Sequence, residues 1–504
     1  MSMGINPILR LDYPDPDIIR VGDTYYMVST TMHFMPGCEI LKSHDLVNWE
    51  HLTYVYEKID STKAQRLVED EQIYGKGMWA ATIRYHQEMF YICFVANDTQ
   101  KTYLYRAKDI SGPWKKSVIS GFYHDASLLF DNDRVFIVFG NTDIELLELK
   151  RDMSGPKKNG LYRVIVSEKD NEFLGYEGAH LYKINNKYYL FLIHSRKDRW
   201  QRIEALYVAD SLEAEFIGKD VLDDDRGYCG QGVAQGGIVD TPDGKWYAIL
   251  FQDSGAVGRI PILVPIRWEN DWPIFGNAGK IPEVFEVTSN KPEYQYRQLV
   301  GSDDFTEAKL KPRWQFNHEP QIGRWGINTK EKTFWIQTDK ICENLLQARN
   351  TLTQRMYYPR CSGEVIVDGG NLNDGDYAGL CALQGCYGII AIYREKEQYK
   401  IVMKERPADD SSVAAMPVKV VETKQESIDI NASVVRLKVE VDFENMKDEA
   451  RFFYWDSKAW VQIGCTKKLY FKIDHFTGCR FGLFAYSTKE VGGKARFREF
   501  KYQY

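Results

Sequence analysis

Asp15, Asp125 and Glu177 each open one of five similar stretches in the N-terminal half of the chain. The stretches are DPDIIRVGDTYYMVS from Asp15, WAATIRYHQEMFYICFV from Trp79, DASLLFDNDRVFIVFG from Asp125, EGAHLYKINNKYYLFLI from Glu177 and QGGIVDTPDGKWYAILF from Gln235. Each runs through apolar alternation, turns at Gly, Asn, Asp or Gln, and rises through an aromatic pair into a second apolar run. The opening residue lies eleven steps before the second aromatic for Asp15 and Asp125, and twelve for Trp79, Glu177 and Gln235. The spacing predicts five hairpins with those five residues at equivalent places. Repeated β units closed around an axis bring equivalent residues to one spot, so three acids would meet there. Cleaving a glycosidic bond takes two carboxyl groups flanking the anomeric carbon. One is protonated and donates to the leaving oxygen; the other is ionised and attacks carbon or activates water. A third acid beside the donor raises the donor's pKa, because adjacent carboxylates resist both being ionised. A single Asp at a strand start is more often a turn former. Asp17 shares a face with Asp15 in a regular strand, and spacing does not choose between the two.

A weaker repeat says what carries these acids. Ser43-His-Asp45-Leu-Val-Asn-Trp49 recurs as Ala107-Lys-Asp109-Ile-Ser-Gly-Pro-Trp114 and faintly as Ala209-Asp210-Ser-Leu. Such an Asp accepts from backbone N–H groups two residues on, which predicts a turn between the third and fourth strands of each unit. Five units of about four short strands make a five-bladed β-propeller over residues 1–287. Ser61–Glu71 is the only helical-looking stretch, expected as a rim insertion. Residues 288–302 read as a linker. From Asp303 to Tyr504, period-two runs such as Val435–Val441, Arg451–Trp455 and Arg480–Ala485 predict a β-sandwich of concanavalin-like jelly-roll type, so the chain is all-β.

The 504 residues carry a net charge of −6 with both signs interspersed, and no basic stripe speaks for nucleic acid. No apolar run approaches the length of a membrane span. Thirty-two Tyr and twelve Trp suit a β-protein that handles sugars, or simply aromatics that pack sheets well. Nine scattered cysteines without a C-x-x-C, and an opening MSMGINPILRLDYP without a charged region followed by an apolar core, give the expectation of a reduced, cytoplasmic protein.

The chain resembles glycoside hydrolase family 43, its two-domain β-xylosidase and α-L-arabinofuranosidase group. The resemblance is carried by Tyr13-Pro-Asp-Pro-Asp-Ile-Ile-Arg, Trp79-Ala-Ala-Thr-Ile-Arg, His124-Asp-Ala-Ser-Leu-Leu-Phe-Asp, Glu177-Gly-Ala-His-Leu-Tyr-Lys, Gly236-Gly-Ile-Val-Asp, and Asp303-Asp-Phe with Trp314-Gln-Phe-Asn-His318. It implies an inverting mechanism with Asp15 as general base, Glu177 as general acid and Asp125 raising the pKa of Glu177. It implies sugar contacts from Trp79 as an apolar wall, Phe34 stacking on the next sugar, Arg259 gripping hydroxyls, and Gln235. It implies release of terminal β-D-xylose, with α-L-arabinofuranose as the alternative, from imported xylo- or arabinoxylo-oligosaccharides. The sandwich would lend the pocket a loop, or else bind carbohydrate, and its aromatics leave a homo-oligomer open. No cofactor is needed for the chemistry. Gln235 departs from the histidine that helps hold a central calcium in relatives, and Tyr13 from a common histidine; calcium at the centre or near Asp303 and Asp304 stays open. A non-enzymatic sugar-binding propeller is the rival from another class, and a retaining mechanism is a third reading.

Overall fold

A computed structural model describes residues 2–407, 422–470 and 477–504. Residues 17–275 form five four-stranded antiparallel sheets, each with its strands hydrogen-bonded in chain order. Their innermost strands are Asp17–Val21, Met78–His86, Ser127–Asp131, Glu177–Ile184 and Val233–Asp240. This is the five-bladed propeller that the hairpin repeat predicts. The Gly237 N–H donates to Pro16 O at 3.1 Å and joins the last inner strand to the first. Outside the blades, Ser2–Ile5 pairs antiparallel with Val284–Val287. Between them and the last blade, the Asn6 side chain donates to Leu263 O at 2.8 Å and accepts from Leu263 N at 2.9 Å.

The turn motif behaves as its spacing predicts at Asp45 and Asp109, two of its three occurrences. Asp45 Oδ1 accepts from Val47 N and Asn48 N at 3.0 and 2.7 Å, and Asp109 Oδ1 from Ser111 N at 2.8 Å. The expected helix over Ser61–Glu71 does not form. Only a 3-10 turn, Ala64–Arg66, is present. Ser61, Leu67 and Glu69 have φ of 52°, 50° and 56°, which no right-handed helix accepts. The Gln65 side chain instead ties down the insertion, donating to Asp98 Oδ2 at 2.7 Å and accepting from Asp60 N at 3.0 Å.

Residues 288–302 contain no strand but lie against the first blade. Asn290 N donates to His44 O at 2.7 Å, Arg297 N to Glu50 Oε2 at 3.0 Å, and the Tyr294 hydroxyl also bonds Glu50. Beyond them two sheets stack with alternating residues inward; Val434–Asp442, for example, buries every second side chain. One sheet reads in order Thr423–Ile430, Gln398–Glu405, Gly388–Glu395, Asp376–Leu383, Arg480–Ser487, Leu352–Arg355, Gln315–Asn317 and then Phe34–Met35, a two-residue strand supplied by the first blade. The sandwich is thereby fused to the propeller by main-chain pairing. Arg355 strengthens the seam: its guanidinium donates to Glu39 Oε2 at 2.7 Å and to Asp12 O at 2.8 Å and covers the Tyr13 ring at 4.1 Å. Among the described residues, no helix is long and apolar enough to cross a membrane.

Asp17 is a structural carboxylate of the propeller axis. It is fully buried and accepts from Arg84 Nη1 at 2.7 Å, Thr82 Oγ1 at 2.8 Å, Ile83 N at 2.9 Å and Ile18 N at 2.9 Å. Burial works to raise its pKa, and Arg84 with these hydrogen bonds outweighs burial and lowers it. Removing one partner of such a pair strands a buried charge at a cost of about 3–5 kcal/mol. Arg84→Met should therefore lose most soluble, folded protein, which a thermal melt of whatever is recovered will measure.

Candidate active site

The inner strands present their opening residues through a bulge shared by all five blades. Pro14 O accepts from Thr30 N and His124 O from Gly140 N, while Trp79 pairs with Val95, Glu177 with Ile193 and Ala234 with Phe251. The residue after each of these has positive φ: Asp15 at 50°, Ala80 at 33°, Asp125 at 47°, Gly178 at 64° and Gln235 at 56°. The structural equivalents are therefore Pro14, Trp79, His124, Glu177 and Ala234 in one ring, followed by Asp15, Ala80, Asp125, Gly178 and Gln235 in the next. This corrects the single ring expected from the sequence: Trp79 and Glu177 stand one residue earlier than Asp15, Asp125 and Gln235. Gln235 shares the twelve-step spacing of Glu177 only because its hairpin turn is one residue longer. Val239 pairs with Tyr247 across that turn, against Ile19 with Tyr26 in the first blade. Left-handed backbone at a non-glycine residue is strained, and Asp tolerates it better than most. Here the strain turns consecutive side chains of one strand end into the same cavity.

At one of these positions glycine leaves room for a neighbouring side chain. A Cβ on Gly178, at φ +64°, would lie 2.7 Å from Cδ of Gln235. Gly178→Ala should destabilise by about 1–3 kcal/mol from backbone strain alone, and it pushes on the residue after Glu177. A lower melting midpoint together with lost activity is the expected result.

Asp15 is 5% exposed. Its Oδ1 meets Arg259 Nη1 at 2.5 Å and its Oδ2 accepts from Thr30 Oγ1 at 2.6 Å, so both oxygens are fixed in direction. The same Thr30 hydroxyl oxygen accepts from Ala80 N at 2.8 Å. Asp17, with its oxygens occupied by the axis, is excluded as an alternative. Glu177 Oε2 accepts from Asn141 Nδ2 at 2.7 Å and lies 3.5 Å from His124 Nε2, which is 3.7 Å from Asp125 Oδ2.

These groups titrate together. Asp125 is pushed up to about 7, first by burial and then by the charges of Glu177 and Asp15, with His124 opposing. His124 is raised to about 9, first by Asp125, against burial, and then by Glu177. For Glu177, burial acts upward, but the hydrogen bond and charge of His124 win and lower it. The resemblance implied a raised Glu177; here the elevated carboxyl is Asp125, raised first by burial, while the His124 imidazolium lowers Glu177.

Arg259 joins a second arginine that the sequence did not single out. Asp253 bridges them, with Oδ1 3.3 Å from Arg259 Nε and Oδ2 on Arg202 Nη1, and both guanidiniums lie over the Phe251 ring at 4.4 and 5.2 Å. Burial, with Arg259 beside it, lowers Arg202 to about 9 while Glu177 and Asp15 draw it back up. Trp79 is partly exposed and meets His124 edge-on at 6.2 Å, consistent with a wall of the cavity. Gln235 packs on Gly178, and its N–H donates to Glu204 Oε2 at 2.7 Å.

Phe34 is elsewhere. It is 0% exposed, with Arg480 stacked 3.5 Å from its ring centre and His33 at 4.3 Å, inside the seam with the sandwich. The expectation that it stacks on a sugar is corrected: its strand pairs with Gln315–Asn317, and no face is free. The sandwich does reach the site's edge. Gly478 N donates to Asp12 Oδ2 at 2.7 Å, and Asp12 Oδ1 accepts from Arg259 N at 2.8 Å.

For a metal, His124, Asp125 and Glu177 place one donor atom each within 4.8 Å of one another. They are the cluster that holds the site's protons, so an ion there would take the oxygens the chemistry uses. Beside Gln235, burial pushes the Glu204 carboxyl well up, toward its neutral form. Asp303 gives its oxygens to Phe305 N, Trp314 Nε1 and Lys311 at 3.0, 2.9 and 3.2 Å.

Comparison with known proteins agrees with this geometry. The profile for glycosyl hydrolases family 43 matches residues 5–273, and that for the beta xylosidase C-terminal concanavalin A-like domain matches residues 302–503. A beta-xylosidase of Formosa agariphila is 27% identical over 99% of this chain and 90% of its own. A non-reducing end alpha-L-arabinofuranosidase of Bacteroides ovatus is 27% identical over 64% of this chain and 63% of its own. The structure of a bifunctional GH43-CE protein of Bacteroides eggerthii is 38% identical with a TM-score of 0.90; the match covers 100% of this chain and 64% of that longer one. The chain belongs to glycosyl hydrolases family 43, and it is a glycoside hydrolase built as a five-bladed propeller with the family's concanavalin A-like domain.

Proposed function

We propose that the enzyme is an exo-acting, inverting β-xylosidase that removes terminal β-D-xylose from short xylo-oligosaccharides. The observation that carries this is that Asp15, oriented by Arg259 and Thr30, lies close enough to the Glu177–His124–Asp125 cluster for its charge to act on Asp125 and His124. Asp15 takes a proton from water as the water attacks the anomeric carbon, and Glu177 gives one to the departing oxygen. Arg259 and Arg202 supply the fork geometry that grips pairs of sugar hydroxyls. No metal takes part in bond cleavage, and the substrates are oligosaccharides met in the cytoplasm. The Formosa agariphila relative favours xylose; the Bacteroides ovatus relative favours a second activity on terminal α-L-arabinofuranose. Kinetics on the two 4-nitrophenyl glycosides test the choice: a higher kcat/KM on the arabinofuranoside would reverse it.

The donor must hold its proton when the glycosidic oxygen arrives. Asp125 and Glu177 titrate as a pair, and with Asp125 at about 7 the pair keeps one proton below that pH. kcat/KM should therefore fall as pH rises through about 7. His124 lowers both carboxyls, so its removal lets them stay protonated to higher pH. His124→Phe should move the alkaline limb upward in a pH profile; an unmoved or lowered limb would refute this role of His124.

A further inference from the structure

Trp200 lies two residues before Arg202, in the loop between Lys187–Ser195 and Arg202–Ala209 of the fourth blade, the blade that carries Glu177. Among the described residues it is one of the few large aromatics on the surface, 38% exposed. The Arg202 guanidinium stands 5.2 Å from its ring centre, and Arg202 itself lies in the field of Glu177 and Asp15. Arg202 is 7% exposed, and its Nε–H is buried with no partner, a donor with an unmet bond at the edge of the site. The loop is fixed in advance. Arg196 N donates to Gln201 O at 2.9 Å, Gln201 Nε2 to Asp223 Oδ1 at 2.6 Å, and Arg199 Nε to Gln201 Oε1 at 3.2 Å; Arg196 also pairs with Asp223. A ring held this way loses little freedom when a ligand covers it.

We infer that Trp200, backed by Arg202, is the subsite for the sugar on the leaving-group side of the cleaved bond. This rests on the β-xylosidase reading. The side follows from the blade: Glu177, the donor in that reading, touches the leaving oxygen, and Trp200 is the exposed aromatic on the same blade. Trp79, on the second blade, lies against His124 instead. The sugar class follows from the ring. Every hydroxyl of β-xylopyranose is equatorial, so its faces present only C–H groups, and these match the negative face of an indole. The guanidinium occupies one side of Trp200 and leaves its exposed surface for that contact.

The test compares xylobiose, which fills this subsite, with β-D-xylopyranosyl fluoride, whose leaving group has no ring. For Trp200→Ala, the ratio of kcat/KM on xylobiose to kcat/KM on the fluoride should fall at least tenfold from wild type. Trp200→Phe, which keeps a smaller stacking face, should recover part of the loss. A Trp200→Ala ratio within threefold of wild type overturns the assignment, because a general loss of folding or chemistry lowers both numbers together. A wild-type enzyme inactive on both substrates overturns the underlying reading and this subsite with it.

Discussion

Glu177→Ala should divide substrates by their leaving groups. The donor matters in proportion to the help the departing oxygen needs, and general acid catalysis contributes about 100- to 10,000-fold. Xylobiose, whose leaving group is a sugar alkoxide, should lose about that whole factor. A dinitrophenyl xyloside, whose phenolate leaves unaided, should lose only about tenfold by the same reasoning. The environment supports a clean substitution. The Glu177 side chain is 21% exposed and meets Asn141 and His124, so its loss orphans no buried charge pair. Equal losses on the two substrates, measured as kcat under saturation, would remove Glu177 from the donor role.

Asp15→Asn should show no such division. The base acts on water, whatever leaves, so both substrates should slow by a similar factor, about 1,000-fold or more within the range for a lost general base. Asn is nearly isosteric and retains an oxygen for either Arg259 or Thr30. Arg259 keeps Asp253 as a counter-charge, so the melting midpoint should fall less than that of Arg84→Met. A leaving-group-dependent loss, or one below about tenfold, would assign Asp15 another role.

Blades were legible because hairpins repeat locally: alternation, turn and aromatic pair lie within a score of residues. The acids were legible for the same reason, since each opens its hairpin. The one-residue offset between Glu177 and Asp15 was present in the eleven- and twelve-step counts, but the longer turn after Val239 gave Gln235 the count of the wrong ring. Knowing the offset identifies His124 as the third-blade counterpart of Glu177, a residue of the His-Asp-Ala-Ser motif whose role the sequence did not state. Phe34 was misplaced because main-chain pairing with Gln315–Asn317, nearly 300 residues later, leaves no local trace. Arg202 was missed for a related reason. Its partner Asp253 lies on the next blade, and an arginine at a strand start looks the same in sequence whether it faces solvent or a cavity.

Inversion at the anomeric carbon is the central claim, since it gives Asp15 water to activate rather than carbon to attack. Proton NMR of 4-nitrophenyl β-D-xylopyranoside hydrolysis, followed from the first turnovers, reads it directly. α-Xylose should appear first and β-xylose only later, by mutarotation. β-Xylose as the first product would mean a covalent intermediate, and Asp15 as a base with Glu177 as a single-step acid would be wrong.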